Sequence, residues 1–88
     1  MINMFIYLGE ETLVHSKDVV GVFDLEQTTL SANTRRFLAD AEKGGRIVEV
    51  ACGQLPRSFI VCTEKDGSET VYLSQLSAAT LKKRAGLM

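Results

Sequence analysis

The side chains best able to act on a ligand in this 88-residue chain are cations: Arg35 and Arg36, Arg57, the run Lys82, Lys83 and Arg84, and Lys17 near the start. Guanidinium and ammonium groups set close together grip phosphate oxygens, so a protein of near-zero net charge can bind a polyanion where its cations cluster. The repertoire for covalent chemistry is thin. His15 is the only histidine, and no Ser, Cys or carboxylate stands beside it in a nucleophile motif. It reads as a turn histidine between Val14 and Ser16. Cys52 and Cys62 with one histidine fall short of the four ligands of a structural zinc site, and Gly44-Gly45 precedes a strand instead of opening a helix around phosphate. The expectation is a protein that is not an enzyme and uses no metal or cofactor.

Each cation also has a plainer reading. Lys82, Lys83 and Arg84 fall in the last turn of a helix, where positive charge offsets the helix dipole by about 0.3–1 kcal/mol. Three in a row exceeds that need, which leaves phosphate contact open beside a solvated cap. Arg35 and Arg36 sit in the first turns of their helix, where the dipole disfavours cations; a solvated face and a ligand or subunit contact both remain open for them. Arg36 could pair with Asp40 one turn on, for a few tenths of a kcal/mol. Arg57 follows Pro56 at a loop tip, a stiff platform for one outward cation.

The elements that must hold these cations belong to one domain, residues 1–88, with no linker, repeat or low-complexity stretch. With 45% hydrophobic and 24% charged residues the chain is globular. A net charge of -1 and a pI near 5.7 argue against indiscriminate coating of nucleic acid. A domain this small buries about 60 to 65% of its unfolded surface, so self-assembly is a way to hide more. The apolar run Met1 to Leu8 has no positive leader and is too short to cross a bilayer, which predicts a cytoplasmic protein without a membrane partner.

Residues 3–8 are apolar on both faces and predict a buried strand, with Gly9-Glu10-Glu11 as its turn. Thr12 to Val14 and Val19 to Phe23 follow as short β-branched strands. Thr34, Phe37, Leu38 and Ala41 share a helical face; Ser31 as N-cap and Gly44-Gly45 as stop bound a helix over 32–43. Ile47 to Cys52 and Ser58 to Thr63 are expected to form a hairpin with residues 53–57 as its tip. That would set Cys52 opposite Ser58 and Cys62 opposite Val48, two reduced core cysteines too far apart for a disulfide. Asp66-Gly67 suggests a type I′ turn into a strand over 69–73. Ser77 caps a last helix running to about Ala85, with Leu76 and Leu81 as a hydrophobic staple. Phe5, Tyr7, Phe23, Phe37, Phe59 and Tyr72 read as core. The fold class is α+β, a small mainly antiparallel sheet with two short helices.

Tyr7-Leu8-Gly9, the stretch from Asp18 to Asp24, Gly53-Gln54-Leu55-Pro56-Arg57-Ser58 and Leu81-Lys82-Lys83-Arg84-Ala85 are together similar to the RemA/RemB regulators, nearest to the RemB branch. The likeness covers nearly the whole chain. It implies a small α+β fold, ring-like homo-oligomers, and binding of promoter DNA to control biofilm extracellular-matrix genes. In the RemA branch a pair of arginines follows the glycine of the tip, where this chain has Gln54 and Leu55. The basic pair on the first helix matches at Arg35 and Arg36. Lys17 lies one residue before the family's early basic position, which Asp18 occupies here.

The expected function is a homo-oligomeric regulator that contacts double-stranded DNA through Arg35, Arg36, Arg57, Lys82, Lys83, Arg84 and Lys17. The alternative is an oligomeric interaction module, binding a protein such as a related paralogue without touching DNA. An apolar Leu55 at an exposed tip suits a subunit interface better than a phosphate.

Overall fold

In the computed structural model, which describes residues 5–26 and 31–86, the fold is organised around a strand buried along almost its whole length. Residues Ser58–Thr63 form this strand, β5 in chain order, and only Thr63 is exposed. A segment apolar on both faces must be covered above and below and paired on both edges. The chain supplies both edges with β3 (Val19–Asp24) and β6 (Glu69–Ser74), each antiparallel to β5. β4 (Ile47–Glu49) adds to the far side of β6 in parallel, giving the order β3-β5-β6-β4. A separate two-stranded hairpin is formed by β1 (Phe5–Gly9) and β2 (Thr12–His15), followed by a 3₁₀ turn over Ser16–Asp18.

Two helices complete the predicted α+β class. α1 (Ala32–Lys43) matches the expected span, and Ser31 accepts a hydrogen bond from the Thr34 amide. It packs on one sheet face, where Ala41, Phe59, Val61 and Val71 form a core joined by Phe37, Leu38, Ile47 and Leu73. α2 (Ala78–Arg84) is capped by Ser77 in the same manner and lies on the opposite face beside the β1–β2 hairpin. There Ile6, Leu8, Val14, Val22, Ile60 and Leu81 make the larger core, with Leu76 packed against it. The alternation of Phe59 and Val61 with Ile60 and Cys62 along β5 feeds one residue set to each layer.

Two serines join the layers. Ser58 and Ser74 are cross-strand partners, both fully buried. The Ser74 hydroxyl donates to the Leu8 carbonyl at 2.7 Å and accepts from the Leu76 amide at 3.0 Å, while Ser58 donates to the Leu76 carbonyl at 2.8 Å. These bonds satisfy main-chain groups that neither sheet can pair.

The expected hairpin between residues 47–52 and 58–63 does not form, because β6 lies between the two strands. β5 has two longer partners, and β4, which ends at the exposed Glu49, is left for the sheet edge. Residues 50–57 instead cross the end of the sheet, with Cys52 and Gly53 at φ 51° and 84°. Ser58 therefore faces Ser74 and Asp24, and Cys62 faces Val19 and Thr70. Both cysteines are free, but only Cys62 is buried; Cys52 is exposed.

The first strand is not buried on both faces. In its described part Ile6 and Leu8 point inward while Phe5 and Tyr7 are 52% and 44% exposed; Asn3 and Met4 lie outside the described residues. A two-stranded hairpin laid on a sheet has only one covered face, which sequence alternation that short does not reveal. Phe23 is likewise 44% exposed and not core, since β3 is an edge strand. The β5–β6 connection is a five-residue turn closed by Glu64 N–H to Ser68 C=O at 2.7 Å. Of Asp66 and Gly67 only Gly67 has positive φ, so the type I′ turn, which needs two such residues, is not adopted. Asp66 instead accepts from the Ser68 hydroxyl and amide at 2.6 and 2.9 Å, bonds that lower the pKa of its carboxyl.

Candidate nucleic-acid interface

The α2 cations are positioned by the burial of their neighbours. Ala78 and Leu81 face the core, so Lys82, Lys83 and Arg84 project from the last turn, Lys82 half-buried and the other two exposed. Arg84 is docked: its Nη1 donates to the Tyr7 carbonyl at 3.2 Å, and its guanidinium lies 5.8 Å from the Tyr7 ring centroid. The end of α2 is thereby tied to β1, and the two lysines are the other charges of the run. A guanidinium over an aromatic face at an exposed site contributes about 0.5–1 kcal/mol.

Arg35 and Arg36 are exposed on the first half of α1. Because α1 and α2 cover opposite faces of the sheet, this pair and the α2 cations do not form one patch within a protomer. Sequence spacing left that undecided, since both groups of cations lie on exposed helix surface in either arrangement.

Arg57 is not at a projecting tip. Its amide donates to the Ser74 carbonyl at 2.8 Å and its carbonyl accepts from the Leu25 amide at 2.9 Å, which fixes it at the end of the sheet. Its Nε also meets Glu26 Oε1 at 3.1 Å, so part of its charge is already answered. Lys17, exposed in the 3₁₀ turn, borders a concavity of about 730 Å³ with Lys65, but Asp18, Glu64 and Asp66 line the same space. Acids at that end weaken its attraction for phosphate.

His15 ends β2 with its ring 4.5 Å from that of Phe5, and its Nδ1 is buried without a hydrogen-bond partner. Among the described residues no group of three or more His, Cys, Asp and Glu side chains is placed to hold a metal, and no helix is long and apolar enough to cross a membrane. Burial pushes the Cys62 thiol up to about 11, with the nearby charges of Glu64 and Asp18 adding to the effect. Burial also raises the Tyr72 hydroxyl.

Two apolar surfaces escaped the sequence reading. One is the outer face of the hairpin, where Tyr7 and Leu13 are cross-strand partners next to Phe5. The other is a groove of about 290 Å³ between α1 and β3, with Val20, Phe23 and Phe37 on its walls and Phe59 beneath. The available signal was Val20, a β-branched residue beside Gly21 where the β3 register shifts. Leu55, 88% exposed on the crossing loop, matches the expected apolar tip, though no hairpin carries it.

Comparison with known proteins places this geometry in a family. The sequence is 34% identical over 85 residues to a protein of Bacillus subtilis (strain 168) named extracellular matrix regulatory protein B, covering 97% of this chain and 94% of that one. A family model described as RemA-like, extracellular matrix regulatory protein A-like, matches residues 5–85. The match spans every strand and helix from β1 to the end of α2, and the chain belongs to the RemA-like family.

Proposed function

We propose that this chain is a cytoplasmic, non-enzymatic regulator of extracellular-matrix genes that binds double-stranded DNA as a homo-oligomer, a closed ring. The matrix role is supported by the family and by the name of the Bacillus subtilis relative. DNA contact is supported by one observation above the rest, the projection of Lys82 and Lys83 from an α2 terminus anchored through Arg84. Lysines on a fixed platform meet phosphates without first losing the freedom of the whole helix end. Arg35 and Arg36 supply a second track on the other face, and a ring repeats whichever track faces DNA. Repetition makes up for the small charge of each copy. Arg57 and Lys17 contribute less, given their acidic neighbours.

Fluorescence anisotropy of duplex DNA across a salt series, with light scattering on the same samples, tests the reading. Binding should weaken with a log-log slope of about -0.9 for each phosphate contacted. A protein that assembles but gives no anisotropy change would instead be an interaction module for a protein such as a paralogue. Leu55 and Gln54 favour that second reading, because an exposed leucine beside an uncharged amide brings no positive charge to a phosphate.

A further inference from the structure

We infer that copies of this chain join head to tail, the outer face of the β1–β2 hairpin of one copy seating in the α1–β3 groove of the next. The inference rests on the homo-oligomer reading above and names the two surfaces that reading leaves unassigned.

The two surfaces point in opposite directions. Ile6, Leu8 and Val14 turn one hairpin face into the core, so Phe5, Tyr7 and Leu13 point away from the sheet on that side. The groove opens on the other side, under α1. A two-fold dimer built on either surface would leave the other in water, whereas a head-to-tail contact covers both in every copy. The hairpin face, the ridge of the contact, presents Leu13 at 59% exposure, and the groove is a concavity with Val20, also 59% exposed, on its wall. A charge pair is also available: Glu69 is the charged residue among those lining the groove, met loosely by Arg46 at 3.9 Å and still 39% exposed in its side chain, and the Arg84 guanidinium lies on the Tyr7 ring of the ridge. Finally, a domain of this size gains more from hiding such patches than a large one, because its own core buries a smaller share of its surface.

The test uses two full-length variants, Leu13→Arg on the ridge and Val20→Arg in the groove, both at exposed positions. Light scattering should give an assembly for the natural protein and the 9.7 kDa protomer for each variant alone. An equal mixture should give a species of twice that mass and no larger, since Leu13→Arg keeps its groove and Val20→Arg keeps its ridge. Leu13→Ser and Val20→Ser, milder changes, repeat the comparison if either arginine variant loses its circular dichroism. A natural protein that assembles while both variants keep its mass overturns the inference and leaves the oligomer standing. Variants that fall apart but do not pair in the mixture overturn the head-to-tail geometry. A monomeric natural protein overturns the inference and the oligomer reading together.

Discussion

Arg84 and Tyr7 meet twice: the guanidinium donates to the tyrosine's own carbonyl at 3.2 Å and lies 5.8 Å from the centre of its ring. The contact ties the last turn of α2 to the first strand, across 77 residues of sequence. It also divides the basic run into a cation that holds the helix and two that project.

That division predicts different responses to substitution. Lys82→Ala and Lys83→Ala should each flatten the salt dependence of DNA binding, by about 0.9 in slope for a lysine that meets one phosphate. Arg84→Ala should lower thermal stability by about 1 kcal/mol through loss of the hydrogen bond and the ring contact. Arg84→Lys, which keeps the charge but not the planar fork, should recover only part of that loss. Salt titrations by anisotropy and thermal melts check the two sets, and an Arg84→Ala melt identical to the natural protein's would show the docking to be inert.

Ser74 should be the most sensitive polar residue of the core. Ser74→Ala leaves the Leu8 carbonyl and the Leu76 amide without their partner, a cost of about 2–4 kcal/mol for two stranded groups. Ser58→Ala strands only its bond to the Leu76 carbonyl and should cost about 1–2 kcal/mol. Urea unfolding of both variants and the double variant would show coupling between them, since they share Leu76.

Gly21 makes room for an aromatic ring. A Cβ built there would lie 2.7 Å from the end of the Phe23 ring, which stacks on Phe59 with centroids 4.8 Å apart. Gly21→Ala should swing that half-exposed ring off Phe59 and cost about 0.5–1.5 kcal/mol, the aromatic contact being the main loss. In a Phe23→Ala background the same change should cost nothing. A double-mutant cycle by chemical denaturation measures the difference, and equal costs in both backgrounds would remove the ring from the explanation.

The two thiols should separate cleanly. Cys52 is exposed, and Cys62 is buried with its thiol raised from 9.0 to about 11. A thiol reagent at neutral pH should modify one group per folded chain and two after denaturation. Because the folded state holds the Cys62 proton more tightly than the unfolded chain, this contribution to stability is complete below about pH 9. It falls as pH rises towards about 11. Cys62→Ala should remove that part of the alkaline loss in a pH series of urea melts.

The sequence determined what depends on near neighbours. Helix α1 follows from the Ser31 cap, the apolar period and Gly44-Gly45, and α2 from the Ser77 cap and the pairing of Leu76 with Leu81. The strands β2, β3, β5 and β6 fall within a residue or so of their apolar runs. The family was legible because four short motifs keep their order across nearly the whole chain. Tertiary structure alone decided which strands meet. Pairing is a contest among all available edges, and β6 displaced β4 from β5 because it offers β5 twice as long a ladder, six register pairs against the three that β4 forms with β6. That one exchange turned an expected arginine tip into a fixed sheet end paired with Glu26 and moved Cys52 to the surface. It was also tertiary structure that put the two helices on opposite faces and left Phe5, Tyr7 and Phe23 in water, since a residue's own alternation states that it has two sides but not which of them another layer will cover.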